Sequence, residues 1–374
     1  MRCWIEISRS AIEHNFKVLS GSGKDAQFMP VIKSNAYGHG LEEVANILIA
    51  LQPKWLAVNY VFEACELRQL GFQGGILVVG PSSWTDYEVA ASQNIDIIIG
   101  DFPSLEFWLT LAKEKRPNIH LKFDTGMGRQ GFFKDDLDQL ILLALPHKSN
   151  IIGFCSHFAN VEDVTDQSYA KGQIDDFSEI LGKLERSGVT GLKHIAASAA
   201  TLIMEESHKS IVRVGISLYG YWPSQATKIS YAAEKLPTME LKPALSWRTE
   251  IALIKAIKKG QHIGYGCTYQ ANRDLKIAVL PVGYYEGYSR IASNRGAYVL
   301  HQGNRCPVIG RICMNMMMID ITDSPLAKEN DKITLIGSDE GDHLSAEQLA
   351  NWTETIHYET LTCLNPKIPK KIVS

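Results

Sequence analysis

Between residue 26 and about residue 220 the chain alternates short apolar runs of β type with longer segments of helical periodicity. This is the pattern of strand–helix units whose parallel strands are buried on both faces. Eight runs carry it: Phe28–Ile32, Trp55–Asn59, Gly75–Val79, Ile95–Ile99, Ile119–Phe123, Ile151–Cys155, Lys193–Ala196 and Ile211–Gly215. Helices are expected at Leu41–Leu51, Val61–Leu70, Leu105–Lys115, Leu137–Leu145 and Asp166–Ser187. Eight units predict a closed (β/α)₈ barrel, since an open doubly wound sheet usually stops at about five or six strands.

After Tyr219-Gly220-Tyr221-Trp222-Pro223 the texture changes, through a polar, helix-like stretch containing Glu234, Lys235 and Pro237, into strands without long intervening helices. Strands are expected at Leu245–Ala256, Ile277–Pro281, Tyr298–His301, Val308–Ile321 and Ile333–Ile336, separated by turns bearing Gly, Asn and Asp. The fold class that follows is α/β, an N-terminal (β/α)₈ TIM barrel over residues 8–234 with a C-terminal mostly-β domain over 235–374. The opening strand, Arg2–Ile7, precedes the barrel, and residues 1–7 are expected to pair with the second domain.

Composition narrows the function classes. The 374 residues are 45% hydrophobic and 21% charged, enough for a full core. Lys plus Arg at 38 against Asp plus Glu at 41 gives a formal charge of −3, too balanced to attract nucleic acid or an anionic membrane. Glu6 and Arg9 interrupt what a signal peptide would need, and no stretch approaches the roughly 20 apolar residues of a membrane span, so a cytoplasmic protein is expected. The seven cysteines are scattered with no Cys-x-x-Cys pair, so no metal site is expected, and the thiols are read as reduced and mostly buried.

In a (β/α)₈ barrel the reacting groups lie just after the strands. The first run ends in Lys33-Ser34-Asn35-Ala36-Tyr37-Gly38, placing a lysine after apolar residues. Partial desolvation there would lower its pKa and suit Schiff-base chemistry, while a snorkelling or ion-paired lysine is the alternative. The fifth run leads into Asp124-Thr125-Gly126-Met127-Gly128-Arg129-Gln130-Gly131. Its Gly-x-Gly-x-x-Gly spacing lies mid-chain and opens no helix, which disfavours a dinucleotide loop and leaves a flexible loop presenting Arg129. Later runs end at His157, at Ser198 and at Arg213-Val214-Gly215-Ile216, where a hydroxyl and backbone amides can cradle a phosphate.

These segments, with Gly264-Tyr265-Gly266, Pro281-Val282-Gly283-Tyr284, Gly310-Arg311-Ile312-Cys313-Met314 and Thr355-Ile356-His357-Tyr358-Glu359, together resemble the bacterial alanine racemase family, the pyridoxal-phosphate enzymes of barrel type. The matches run in order along nearly the whole chain. The resemblance implies that Lys33 holds pyridoxal 5′-phosphate covalently and is one of two catalytic bases. It implies phosphate binding by Tyr37, Ser198, the amides of Gly215 and Ile216, and Tyr358, with Arg213 at the pyridine nitrogen. A guanidinium does not give up its proton, so that nitrogen would stay unprotonated.

Racemisation needs proton exchange on both faces of Cα, and the resemblance implies Tyr265 of the partner subunit as the second base, hence a homodimer with shared sites. A phenol's ordinary pKa near ~10 is too high for neutral work, and His157, between phenol and Arg213, would bias it toward phenolate. Arg129 would seat cofactor and substrate carboxylate, steadied by Lys122, a position often carbamylated in the family. Met314 and Asn315 would touch substrate, and Tyr284, Arg290 and Arg311 would line the entrance. The implied activity interconverts L- and D-alanine, supplying D-alanine for peptidoglycan, with serine or broad-specificity racemisation as the alternative. A basic-amino-acid decarboxylase and a non-catalytic cofactor-binding protein are the competing classes. The chain departs from the family pattern at three places: Asn315 stands for the Asp of Cys-Met-Asp, Ala197 for an Asn before the phosphate serine, and Glu286 for the Asp of Gly-Tyr-x-Asp-Gly.

Overall fold

The computed structural model describes residues 2–23, 25–234 and 239–374. The chain divides into two compact units, one of residues 11–34 and 44–242, the other of residues 1–10, 35–43 and 243–374. The expected domain change at residue 235, with Lys235 and Pro237, lies outside the described residues; a helix spans Gln225–Glu234 before it.

The first unit is the barrel. β1 (Cys3–Ser8) precedes its eight strands, which are β2 (Gln27–Pro30), β3 (Trp55–Val58), β4 (Gly75–Pro81), β5 (Asp96–Ile99), β6 (Ile119–Lys122), β7 (Ile151–Cys155), β8 (Leu192–His194) and β9 (Ile211–Val214). Strands β3 to β8 pair in sequence order, all parallel. β2 pairs parallel with β9, and a bridge between Val31 and Ala57 joins it toward β3. The remaining gap is spanned by Ser210 N–H donating to Lys193 O (2.8 Å) and Arg213 N–H donating to Ala196 O (3.1 Å). All eight expected runs are strands, each within a few residues of its expected bounds.

Strands covered on both faces should be apolar throughout. β5, β6 and β9 are buried at every position, yet they carry Asp96, His120, Lys122 and Arg213. Buried polar side chains are the informative exception in a core, and these belong to the site described below.

The second unit is mostly β. Its strands are β10 (Leu245–Glu250), β11 (Leu253–Ile257), β12 (His262–Ile263), β13 (Tyr269–Gln270), β14 (Leu275–Leu280), β15 (Tyr298–His301), β16 (Asn304–Ile309), β17 (Met317–Asp320), β18 (Lys332–Asp339), β19 (Asp342–Leu344) and β20 (Lys370–Val373). Strand order in the large sheet is β11-β14-β17-β16-β15-β18-β10-β1-β20, with β19 on β18 and with β12 and β13 forming a separate hairpin. β1 lies antiparallel to β10 and parallel to β20.

Two expected strands each prove to be two. Leu245–Ala256 breaks at Ile251, whose amide donates to Asp331 O (3.0 Å), so the chain turns from β10 to β11. Val308–Ile321 is split between β16 and β17 by a turn that starts at Gly310, φ +69°, where a Cβ would lie 2.7 Å from Ile263 O. Continuous hydrophobicity hides both turns in the sequence. The expected helix Leu105–Lys115 runs instead from Phe102 to Thr110, started by Asp101 accepting from Ser104 N–H at 2.8 Å. Among the cysteines, Cys3, Cys155 and Cys306 are buried, Cys65 and Cys313 half-buried, and Cys267 and Cys363 exposed; all are free thiols. The expectation that most are buried therefore fails. No helix among the described residues is long and apolar enough to cross a membrane.

Candidate active site

Lys33 stands just past β2 and opens a single helical turn, Lys33–Tyr37, that is left-handed: Ser34, Asn35, Ala36 and Tyr37 have φ of 56°, 55°, 51° and 54°. For L-residues this hand costs about 1–2 kcal/mol each, so it persists only where neighbours enforce it. Buried Glu63 supplies one constraint, accepting from Ser34 N–H (2.7 Å) and from Asn59 N–H (2.8 Å), which ties the end of β2 to the end of β3. Asn35 supplies another, its Oδ1 accepting from Leu41 N–H at 2.9 Å. Sequence reasoning missed both the turn and Glu63; a run of five ordinary residues gives no signal for left-handed backbone.

Burial, then the charges of Arg129 and Arg213, lower the pKa of half-buried Lys33, with Glu63 opposing. The lysine therefore keeps a larger neutral fraction than a surface lysine, which a nucleophilic or basic amine requires.

Arg213 sets the protonation pattern around it. Its Nη1–H donates to His194 Nδ1 (2.6 Å), and its Nη2 donates to Ser156 O (2.9 Å), Ile195 O (3.0 Å) and His157 Nδ1 (3.2 Å). An arginine can only donate, so both histidines must accept at Nδ1 and carry their proton on Nε2. His194 Nε2–H then donates to His120 Nδ1 (2.8 Å), leaving His120 Nε2–H facing Asp96 at 4.0 Å. One guanidinium thus fixes three tautomers. Burial first, then the charge of Arg213, hold His157 and His194 well below the ordinary histidine range and push His120 down to about 3, so all three stay neutral. Burial lifts Asp96 to about 7. The Arg213 Nε–H has no partner among the described residues.

The glycine-rich loop is locked, contrary to the expectation of a flexible one. Asp124 Oδ1 accepts from the amides of Gly126 (2.9 Å), Met127 (2.7 Å) and Gly128 (3.0 Å), and Oδ2 from Arg129 (2.8 Å). Burial pushes this carboxylate upward, but the four amides outweigh it and hold it below the usual range. The glycines are needed for backbone: φ is +126°, +66° and +134° at 126, 128 and 131, and a Cβ on Gly131 would collide with the Asp124 amide. The loop carries Arg129, whose side chain is exposed. Buried Lys122, at the end of β6, is brought down to about 8, chiefly by burial and further by Arg213 and Arg129.

Ser198, Gly215 and Ile216 come together, with one change of role. The Gly215 amide donates to Ser198 Oγ (3.0 Å) rather than standing free. The Ile216 amide and the buried Ser217 hydroxyl have no partner among the described residues. In the second unit, Tyr37 and Tyr358 approach with ring centroids 6.4 Å apart, and the His357 ring lies 4.8 Å from that of Tyr358. Burial pushes the Tyr37 phenol up to about 12.

The remaining expected residues also lie on the second unit. Tyr265 crowns the hairpin of β12 and β13, between Gly264 (φ +77°) and Gly266 (φ +72°), and is 70% exposed. Arg311 packs beneath it, with its Cζ 3.0 Å from where a Cβ of Gly266 would sit. Met314 and Asn315 occupy the turn between β16 and β17, and Tyr284 and Arg290 are exposed nearby in sequence. No cluster of metal-binding side chains occurs among the described residues.

The chain is similar to known proteins over nearly its whole length. Residues 7–223 match the family model "Alanine racemase, N-terminal domain" and residues 244–372 "Alanine racemase, C-terminal domain". Alanine racemase of Leptospira interrogans is 35% identical, the match covering 99% of this chain and 95% of that protein. Among solved structures, alanine racemase from Bacillus anthracis with bound L-Ala-P superposes with a TM-score of 0.90 at 32% identity, covering 100% of this chain and 95% of that one. The Bartonella henselae enzyme, with covalently bound pyridoxal phosphate, gives 0.86 at 26% identity, with 100% of both chains covered. The chain belongs to the alanine racemase family.

Proposed function

We propose that the protein interconverts L- and D-alanine with pyridoxal 5′-phosphate, using Lys33 of one subunit and Tyr265 of the partner subunit as bases. The observation that carries this reading is the partly desolvated Lys33 amine beside two arginines, one of which, Arg213, keeps an Nε–H free for a ring nitrogen. The donor set suits the cofactor: an amine for the aldehyde, Ser198 with the unpartnered Ile216 amide and Ser217 hydroxyl for the phosphate, and Arg129 for the phenolic oxygen. When bound, the cofactor supplies an electron-withdrawing ring that acidifies the substrate Cα–H.

The residues then divide the work. Lys33 takes or returns the proton on one face of Cα and the partner's Tyr265 on the other. His157, its Nδ1 occupied by Arg213, has only Nε2–H to offer outward, and a hydrogen bond from it favours an ionised phenol. Arg213 donates to the ring nitrogen without transferring its proton, which limits side reactions. Lys122 completes the picture as a carbamate: its ammonium loses one proton to become the neutral amine, which adds CO₂ and releases a second proton, replacing a buried positive charge by a negative one near Arg213 and Arg129. The exposed Tyr265, Tyr284, Tyr285, Met314 and Met316 form the apolar surface that a second copy of the chain would cover. Tyr358, packed against Tyr37 and His357, would be the residue that favours a small side chain such as that of alanine. D-alanine made in the cytoplasm this way serves peptidoglycan.

The test follows the circular dichroism of L- and D-alanine with the cofactor-loaded protein. Both enantiomers should decay to the same optically silent mixture, with kcat/KM for alanine above that for serine. A signal unchanged over time, or release of CO₂, would reject a racemase, and a serine preference would redirect the substrate assignment.

A further inference from the structure

Two of the positions at which the chain departs from the family pattern, Glu286 and Asn315, touch. Asn315 Nδ2–H donates to Glu286 Oε1 at 2.7 Å, and the Gly283 amide donates to Glu286 Oε2 at 2.9 Å. Glu286 is buried and Asn315 exposed. The surrounding backbone is zipped: Tyr284 N–H donates to Cys313 O (3.1 Å), Tyr285 N–H to Met314 O (2.9 Å) and Cys313 N–H to Met316 O (2.8 Å). Gly283 leaves no room for a side chain, since a Cβ would collide with the carbonyls of Cys313 and Met314. Among the ionisable groups nearby is buried Cys3, whose thiol is pushed up to about 11 by burial and then by the Glu286 charge; Tyr284, Tyr285 and buried Tyr288 lie on the same backbone.

An ionised carboxylate only accepts hydrogen bonds, so the Asn315 amide must turn its NH₂ toward Glu286 and its carbonyl away. An aspartate at this position would set acceptor against acceptor over 2.7 Å, with one of the two charges buried. With glutamate at 286 reaching this position, the amide at 315 is the residue type that can donate to it.

We propose that Glu286 and Asn315 form one specificity-setting unit: the buried carboxylate holds the turn carrying Met314 and orients the amide, giving the surface beside Met314 an uncharged edge. Its ligand is the carboxylate of a small amino acid, which meets no like charge at position 315. Glu286 is a positioning residue, acting through Asn315. This inference rests on the reading that the turn at Met314 faces substrate.

The test is a reversal of the pair. In the double variant Glu286→Gln, Asn315→Asp, the introduced amide NH₂ can donate to the introduced carboxylate while the amide carbonyl still accepts from Gly283. The geometry then survives while the negative charge moves one residue toward substrate. Asn315→Asp alone should lower Tm by about 3–8 °C, whereas Glu286→Gln alone, which Asn315 can meet by turning its carbonyl to the new NH₂, should change Tm little. The reversed pair should recover most of the Asn315→Asp loss. Its KM for L-alanine should nevertheless stay raised about three- to tenfold with kcat less affected. The acid limb of its kcat/KM profile should move to higher pH, because a negative charge shifted to position 315 favours the protonated bases.

Additive Tm changes in the double variant would overturn the coupling. Recovery of wild-type KM and pH profile would overturn the placement of charge. A wild-type chain that leaves L-alanine unchanged would remove the substrate half of the proposal together with the functional reading, and the melting cycle, which needs no substrate, tells the two failures apart.

Discussion

The chemistry at the barrel mouth is held from within, whereas the chemistry on the β unit stands open. Around Arg213 the contacts to His194 and on to His120 are buried and that to His157 is half-buried, each fixing a tautomer, and Asp124 clamps the loop of Arg129 by four amides. Tyr265, by contrast, is 70% exposed on a two-stranded hairpin, with Met314 56% exposed on a neighbouring turn. Pre-organisation makes a buried cationic site specific before any ligand arrives. The exposed Tyr265 has no such environment within the described residues, and on the function proposed above a second chain supplies it. The proposed function accounts for this difference: the barrel would carry a pre-organised half-site and the β unit the part that completes another chain's site.

The sharpest way to break this division is at the amine. Lys33→Ala should abolish racemisation to background and remove the visible absorption of bound cofactor; retained absorption would show that another group holds it. Next comes the phenol. Tyr265→Phe should lower kcat by about 10²–10⁴-fold while leaving the barrel's cofactor absorption in place. Equal residual rates in both directions near wild type would count against two bases. A third test concerns the clamp: Asp124→Ala frees four amides, and the displaced Arg129 should cost on the order of 10² in kcat/KM for alanine. Full activity would mean that the loop holds its shape unaided.

The barrel's neutral histidines predict an acid sensitivity, to which buried His39 of the β unit, pushed down to about 4 by burial, adds. His120, His157 and His194 have folded pKa values below 6.5, so the unfolded chain binds more protons than the native one as pH falls from 6.5 toward 3, and stability is lost over that window. Asp96, raised to about 7, acts oppositely between about 4 and 7, gaining stability as pH falls, but it is one group against three. The urea midpoint should therefore drop between pH 7 and pH 5, and a flat or rising midpoint would contradict neutral histidines. The smallest effect is expected at the surface: Lys134→Ala, which breaks exposed ion pairs to Glu179 and Asp176, should leave Tm unchanged within error.

Much of this is legible in the chain. Alternating apolar runs show the barrel because its strands are buried on both faces, and Lys33, Arg129 and His157 follow the ends of those runs while Arg213 lies within the last one. The histidine chain is not legible, because His120 and His194 sit inside apolar runs where only the closed geometry brings them within 2.8 Å. Asp124 gives no signal because its ligands are backbone amides, which leave no pattern in residue types. The left-handed turn after Lys33 is hidden for the same reason. Glu286 and Asn315, 29 positions apart, each read as an isolated departure until the sheet sets them side by side.

The central claim is that each site joins Lys33 of one subunit to Tyr265 of the partner subunit, and complementation tests it most directly. Lys33→Ala and Tyr265→Phe chains, each inactive alone, are co-expressed and assayed for alanine racemisation. Random pairing puts half of the chains in mixed dimers, each with one intact site of two, so activity should return to about one quarter of wild type. A mixture as inactive as its parents would contradict the shared site.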